Sequence, residues 1–280
     1  MATTDEQNMP FIRNLASSDR KTRTSALTTL RTFLSSAARP RTPLDDLKLW
    51  KGLFFSLWMC DRAVPQQNLC AELAALTTAA PGDAAVAPWL AAFWATVARE
   101  WTSIDVLRLE KFLLLVRRVF AAGLEWAFRG GSGKRQGKKW DTKARRDALL
   151  DLFREWPLET AGDLAKMPVG LRLHVLDIWV DELAKIGYLG EQHKQKQGQG
   201  QEESEDEEEE AESAIDEEDE AFLNQLRELV EAQLKSPSKP VRVRARDSLA
   251  DERLPWNKGK AGDDGEESSD GEDAWGGFRD

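Results

Sequence analysis

The sequence predicts an all-α protein built as a HEAT-like helical-repeat solenoid of antiparallel helix pairs. Three observations carry this reading. Over residues 5–188 apolar side chains recur with the helical period. No run of alternating strand residues interrupts that period. The breaks between periodic stretches leave helix pairs of about 40 residues, the length of HEAT-like repeats, although no repeat motif is evident.

The elements follow in order. Ser18 or Asp19 is placed to cap a helix striped with Ala26, Leu27, Leu30, Phe33, Leu34 and Ala37, which ends before Pro40. A second helix begins after Pro43 and is apolar on almost all sides through Leu53, Phe54, Phe55, Leu57, Trp58 and Met59, as suits a helix packed between neighbours. A third is expected over residues 65–77, broken by residues 78–82. Asp83 is the expected cap of a fourth, which aligns Val86, Trp89, Leu90, Phe93, Val97 and Trp101. A turn at 102–104 leads to a long helix over 105–128 whose run from Phe112 to Val116, continued by Val119, Phe120 and Leu124, makes it the most buried element expected. The glycines of 130–137 end it, and Asp141 or Thr142 starts a helix with Ala148, Leu149, Leu152 and Phe153 inward. Pro168 opens a further helix using Leu171, Val175, Ile178, Trp179, Leu183 and Ile186, with Gly187 as its C-terminal cap.

The character then changes. The chain is expected to divide into a disordered N-terminus (1–8), a helical-repeat body (9–189), a low-complexity acidic linker (190–214), an amphipathic helix with a basic segment (215–256) and a disordered acidic tail (257–280). Ile215, Phe222, Leu226, Val230 and Leu234 recur at near-fourfold spacing, so the helix they form needs an apolar dock, on the body or on a partner. Phe222, Leu226 and Val230, with the tail indoles Trp256 and Trp275, are candidate partner-docking residues. Ser204 and Ser269, each with a glutamate three positions on, fit acidophilic kinase sites.

Charge is unevenly distributed. Residues 202–220 hold fourteen carboxylates and no base, and residues 262–280 carry a net −7. Lifting these −14 and −7 tracts out of the −10 total leaves +11 on the rest, which predicts a basic body with acidic appendages. The densest basic stretch is Arg129, Lys134, Arg135, Lys138, Lys139, Lys143, Arg145 and Arg146. With Trp140 available to stack, it suits sequence-neutral contact with RNA phosphates, and residues 134–139 equally suit nuclear import. Arg20, Lys21 and Arg23 near the first helix, and Arg242, Arg244 and Arg246 near the last, are secondary RNA-contact candidates.

A search for catalytic chemistry finds little. The segment Gly130-Gly131-Ser132-Gly133-Lys134 resembles a phosphate loop, but Arg135 stands where Ser or Thr is needed and a helix precedes it rather than a strand. His174 and His193, the only histidines, have no ligand-spaced partners, and Cys60 and Cys70 lack CxxC spacing and read as reduced intracellular core thiols. The acidic tract lacks the glycine and spaced ligands of a calcium loop. No membrane-spanning run or secretory signal is recognisable, so the expectation is a soluble intracellular protein without enzyme activity, cofactor, metal or small-molecule substrate. Seven tryptophans, 50, 58, 89, 94, 101, 126 and 179, fall on faces expected to be buried.

Several blocks together resemble the eukaryotic ribosomal RNA-processing protein 1 family of nucleolar proteins. They are Asn14-Leu15-Ala16 with residues 19–23, Leu49-Trp50-Lys51-Gly52-Leu53-Phe54 with Trp58-Met59 and Asp61, and Arg99-Glu100-Trp101 with Ile104-Asp105 and Arg108-Leu109. Lys111-Phe112, Val116-Arg117-Arg118, His174-Val175-Leu176-Asp177 and Asp181-Glu182-Leu183 continue the series, which covers most of residues 9–187. The short chain is closer to fungal than to long-tailed animal members. The resemblance implies a helical-repeat fold in the nucleus and nucleolus. It also implies a role in assembling the large ribosomal subunit and processing its precursor RNA without cutting it, and association with Brix-domain and WD-repeat assembly factors. It supplies no RNA-contacting positions, so those assignments rest on charge. The alternative is an acidic-tailed chaperone or transport adaptor for basic nuclear proteins.

Overall fold

Each apolar stripe seen in the sequence needs a neighbour, and the computed structural model shows how neighbours are found. It describes residues 14, 15, 17, 19–35, 41–79, 82–128, 142–189 and 217–257. Among these, nine α-helices and no strand occur: α1 (Arg20–Ser35), α2 (Pro43–Trp58), α3 (Ala63–Ala74), α4 (Val86–Glu100), α5 (Val106–Phe128), α6 (Thr142–Glu155), α7 (Val169–Lys185), α8 (Glu217–Ala232) and α9 (Lys239–Leu249).

From α2 onward each helix packs on the one after next, α2 with α4, α3 with α5, α4 with α6, α5 with α7, α6 with α8 and α7 with α9, and α5 also packs on α6. Even-numbered helices therefore form one layer and α3, α5, α7 and α9 the other, the two-layer stack of a helical-repeat solenoid. α1 packs on the 3₁₀ turn Ala75–Ala79 that follows α3.

Local signals start the helices. Asp19 caps α1 by accepting from the Thr22 amide at 2.8 Å and its hydroxyl at 2.7 Å. Thr42 and Asp45 form a reciprocal capping box on α2, with Pro43 in its first turn. Asp83 does not cap α4 as expected. It lies in a 3₁₀ turn, Asp83–Ala85, and its carboxylate accepts from Trp126 Nε1 at 2.9 Å. Gly187, at φ 82°, supplies the left-handed residue just past α7.

Aromatic side chains join helices both within and between the layers. Trp50 sits 4.8 Å from Trp89 and 4.9 Å from Phe93, joining α2 to α4, and its Nε1 donates to the Trp89 carbonyl at 2.9 Å. Phe54 stacks on Phe112 at 4.4 Å, and Phe120 on Phe153 at 4.9 Å. Trp50, Trp89, Trp94, Trp126 and Trp179 are buried, while Trp58 and Trp101 are half-buried at the margin. A buried aromatic of this kind contributes about 3 kcal/mol through area alone, so the apolar seams carry most of the stack's stability.

Candidate nucleic-acid interface

The basic residues singled out in the sequence divide into three places. At the first turn of α1, Arg20 and Lys21 are exposed. Arg23 is not available to a partner: it is 9% exposed, and its guanidinium donates to the Ser17 carbonyl at 2.9 Å. The α1 stripe explains this, because position 23 lies one turn before Ala26 and Leu27 on the buried face.

Arg129, Lys134, Arg135, Lys138 and Lys139, with Trp140, lie outside the described residues. Lys143 is exposed and pairs with Asp147 at 2.7 Å. Arg145 and Arg146 point inward, which corrects the expectation that they face RNA. They share the buried side of α6 with Leu149 and Phe153. Arg145 is 6% exposed and donates to the Trp126 carbonyl at 3.1 Å. Arg146 lies 4.9 Å over the Phe128 ring, pairs with Asp219, and approaches Glu218 at 3.7 Å. Burying a guanidinium requires such partners, since an unpaired buried charge is costly.

The same corner decides the fate of the docking candidates. Phe222, Leu226 and Val230 are buried in the protein's own core, on the α8 face that meets α6. Phe222 packs 4.9 Å from Phe128, which lies 4.6 Å from Tyr188, and the Tyr188 hydroxyl donates to the Asp219 carbonyl. These three residues therefore hold α8 on the body and are not a surface for a partner. Trp256 is likewise engaged: its Nε1 donates to the Leu249 carbonyl at 3.1 Å and Arg227 covers its ring at 4.7 Å. Trp275 lies outside the described residues.

On α9, Arg244 is exposed but pairs with Asp177 of α7. Arg242 donates to the carbonyls of Ser236 and Pro237 at 2.7 and 3.1 Å. Arg246 is exposed and meets no carboxylate among the described residues.

Charge over the folded part differs from the expected basic body. The described residues contain 27 Lys and Arg against 27 Asp and Glu, so their formal charge is zero. The surplus is local: residues 19–35 and residues 239–249 each carry a net +3, and the segment 129–141 has five bases and one acid. Uniform attraction of polyanions by the whole body is therefore replaced by attraction at particular places on the stack.

Residues 6–275 match the family described as "Nucleolar protein, Nop52". The chain belongs to the Nop52 family of nucleolar proteins. Curated relatives of this Nop52-family chain include mouse "Ribosomal RNA processing protein 1 homolog A", 34% identical over 177 residues, or 62% of this chain and 33% of the relative. Human "Ribosomal RNA processing protein 1 homolog B" is 34% identical over 181 residues, 63% of this chain and 22% of the relative. The Drosophila melanogaster homolog is 27% identical over 183 residues, 64% and 25% respectively. The matched part thus spans about a third or less of these relatives.

Inside the Nop52-family chain, the polar groups that charge counting could not place act as structural ties. Arg172, 1% exposed, donates to Glu159 Oε2 and to the Glu159 carbonyl, both at 2.7 Å, to the Asp163 and Met167 carbonyls, and to Gln233 Oε1. Burial by itself raises the Glu159 pKa, but the Arg172 hydrogen bond and the Ala161 and Asp163 amides outweigh it and hold the carboxyl below its ordinary value. Lys111 donates to the carbonyls of Trp58 and Cys60, both at 2.9 Å, closing the C-terminal end of α2, and burial lowers its pKa. His174 is also depressed by burial, and its neutral ring donates from Nε2 to the Leu113 carbonyl at 2.9 Å. Arg117 of α5 bridges Asp181 and Glu182 of α7. Cys60 and Cys70 are buried free thiols, and burial pushes Cys70 up to about 12, so its thiol is not a ready nucleophile.

Proposed function

We propose that this protein is a non-catalytic assembly factor for the large ribosomal subunit, a scaffold that holds precursor ribosomal RNA and partner proteins during nucleolar RNA processing. The observation that carries this reading is the Nop52-family match over residues 6–275, joined to relatives whose printed names are ribosomal RNA processing proteins. Physical support comes from how the polar side chains are used. Arg172, Lys111, His174 and Arg117 each tie helices together, which suits a rigid support rather than a reacting centre. A two-layer stack offers long surfaces to other assembly factors, with Brix-domain and WD-repeat proteins the expected classes. Arg20, Lys21 and Lys143, with Arg129, Lys134, Arg135, Lys138 and Lys139, are the residues proposed to reach RNA phosphates.

The test is depletion in growing cells followed by gradient sedimentation. The protein should travel with large-subunit precursors, and its loss should stall late processing steps. Sedimentation as a free protein at all salt concentrations contradicts the reading. Deleting residues 202–216 separates it from the acidic-chaperone alternative. The scaffold keeps its particle association without that tract, whereas a chaperone for basic proteins loses its function. The deletion stops short of α8 because Asp219 is needed by Arg146.

A further inference from the structure

α9 is the last helix of its layer among the described residues, and its two long flanks differ in charge. It packs through Val241 and Ala245, both fully buried, against α7 and α8. Arg244 reaches back to Asp177 of α7, so that flank faces the stack. Successive helix residues are about 100° apart. Arg242 and Arg246 therefore lie on the flank opposite Arg244, and Lys239 falls within about 60° of both. This is the flank on which another helix of the layer would pack.

Terminal repeats of solenoids need a polar outer face. Here that flank carries Lys239, Arg242 and Arg246, and the one carboxylate of α9, the exposed Asp247, lies about 80° or more round the helix from them. Lys235, Lys239 and Arg246 meet no carboxylate among the described residues. Arg242 is held by the Ser236 and Pro237 carbonyls, which fix its position without neutralising its charge. By contrast Arg117, Lys185, Arg244 and Arg253 are each matched with carboxylates.

We infer that this end face of the stack is a phosphate-backbone track for RNA, formed by Lys239, Arg242 and Arg246 with Lys235 at its edge. The inference rests on the RNA-scaffold reading above and says where on the fold one contact is made. From position 239 to 246 the helix rises about 10 Å, the axial length of about three nucleotides of a duplex strand. A protein partner would need a buried apolar anchor, whereas the one apolar side chain beside these cations is Val243, 41% exposed. Cations in a row beside little apolar surface suit phosphates.

The experiment uses the full chain and a fluorescein-labelled single-stranded RNA of about 30 nucleotides, with affinity measured by anisotropy from about 50 to 200 mM salt. The double variant Lys239→Gln/Arg246→Gln should bind more weakly, with a slope of log affinity against log salt shallower by about 1.4, or 0.7 for each lost phosphate contact. Arg244→Gln, whose charge is already matched by Asp177, should leave the slope unchanged. Both variants should melt as the parent does, because the altered side chains are exposed. If the parent binds RNA and the double variant keeps its slope, the track is refuted while the scaffold reading stands. Absence of RNA binding by the parent at every salt concentration removes both. If the double variant instead loses only affinity for a peptide of residues 202–216, the face is an acidic-protein site and the inference is wrong.

Discussion

Arg172 donates to the side-chain oxygen of Gln233 at 3.0 Å across 61 residues of sequence, tying α7 to the turn between α8 and α9. Gln233 in turn donates to the carbonyls of Leu158 and Glu159 at 3.0 and 3.2 Å. Gly162, at φ 76°, closes the same junction, since a Cβ there would lie 3.0 Å from Pro237 Cδ. Removing the guanidinium leaves Glu159 buried without its cation. Arg172→Ala should therefore cost about 3–5 kcal/mol, and Gln233→Ala about 1–3 kcal/mol. Urea unfolding of both variants checks this; a loss below about 1 kcal/mol for Arg172→Ala contradicts the role given to it.

Acid should loosen the same junction. The folded-state pKa of Glu159 lies below its unfolded value of 4.5, so its contribution is fully present above that pH and is lost as pH falls through the depressed value. Asp163, also lowered, through the Lys166 and Ala165 amides, acts in the same direction. Urea midpoints measured from neutral pH down through this window should fall for the parent and fall less steeply for Glu159→Gln.

The helices on either side of residues 190–216 should stay together when that stretch of chain is cut. α8 buries Phe222, Leu226 and Val230, and Arg146, Tyr188 and Arg172 add polar ties to the piece from residue 217 on. With a protease site placed among residues 200–205, the two fragments should co-elute in size exclusion after complete cleavage. Cleaved Phe222→Ala protein should separate at lower urea than the cleaved parent, since truncating a buried Phe costs about 3–5 kcal/mol. Immediate separation of the cleaved parent argues against an integral α8 and α9.

Trp50 gives the Trp-Lys-Gly-Leu-Phe block a physical meaning. It is 1% exposed and seals α2 on α4 by ring contact and by its hydrogen bond to Trp89. Trp50→Ala should lose about 3–5 kcal/mol in chemical denaturation. The exposed neighbour Lys51, changed to Ala, should shift stability by less than about 0.5 kcal/mol.

The helices were legible because a buried stripe repeats in the sequence with the period of the structure, as in Leu49, Leu53 and Leu57 of α2. The caps at Asp19 and Thr42 involve residues three apart, a spacing as local as the stripe itself, and Thr42 stands directly before the Pro43 that marks the start of α2. Arg172 was not legible. A long cation among Leu171, Val175 and Leu176 reads as one misplaced charge until its partners, 13 and 61 residues away, are in view. For the same reason charge density misassigned Arg145 and Arg146: a sum of charges does not say which side of α6 is inward. Asp83 had the residue type of a cap, but the Trp126 indole claims its carboxylate. For the amphipathic helix, periodicity announced that Phe222, Leu226 and Val230 needed a dock but did not say whether the body provided it.

The central claim is that the stack meets precursor ribosomal RNA at its locally basic places. Ultraviolet crosslinking in growing cells, with both RNA and peptide identified, tests it most directly. The account predicts large-subunit precursor sequences joined to peptides from the start of α1, residues 129–143 and residues 235–246. Crosslinks confined to other peptides, or to RNA outside the large-subunit precursor, would contradict it.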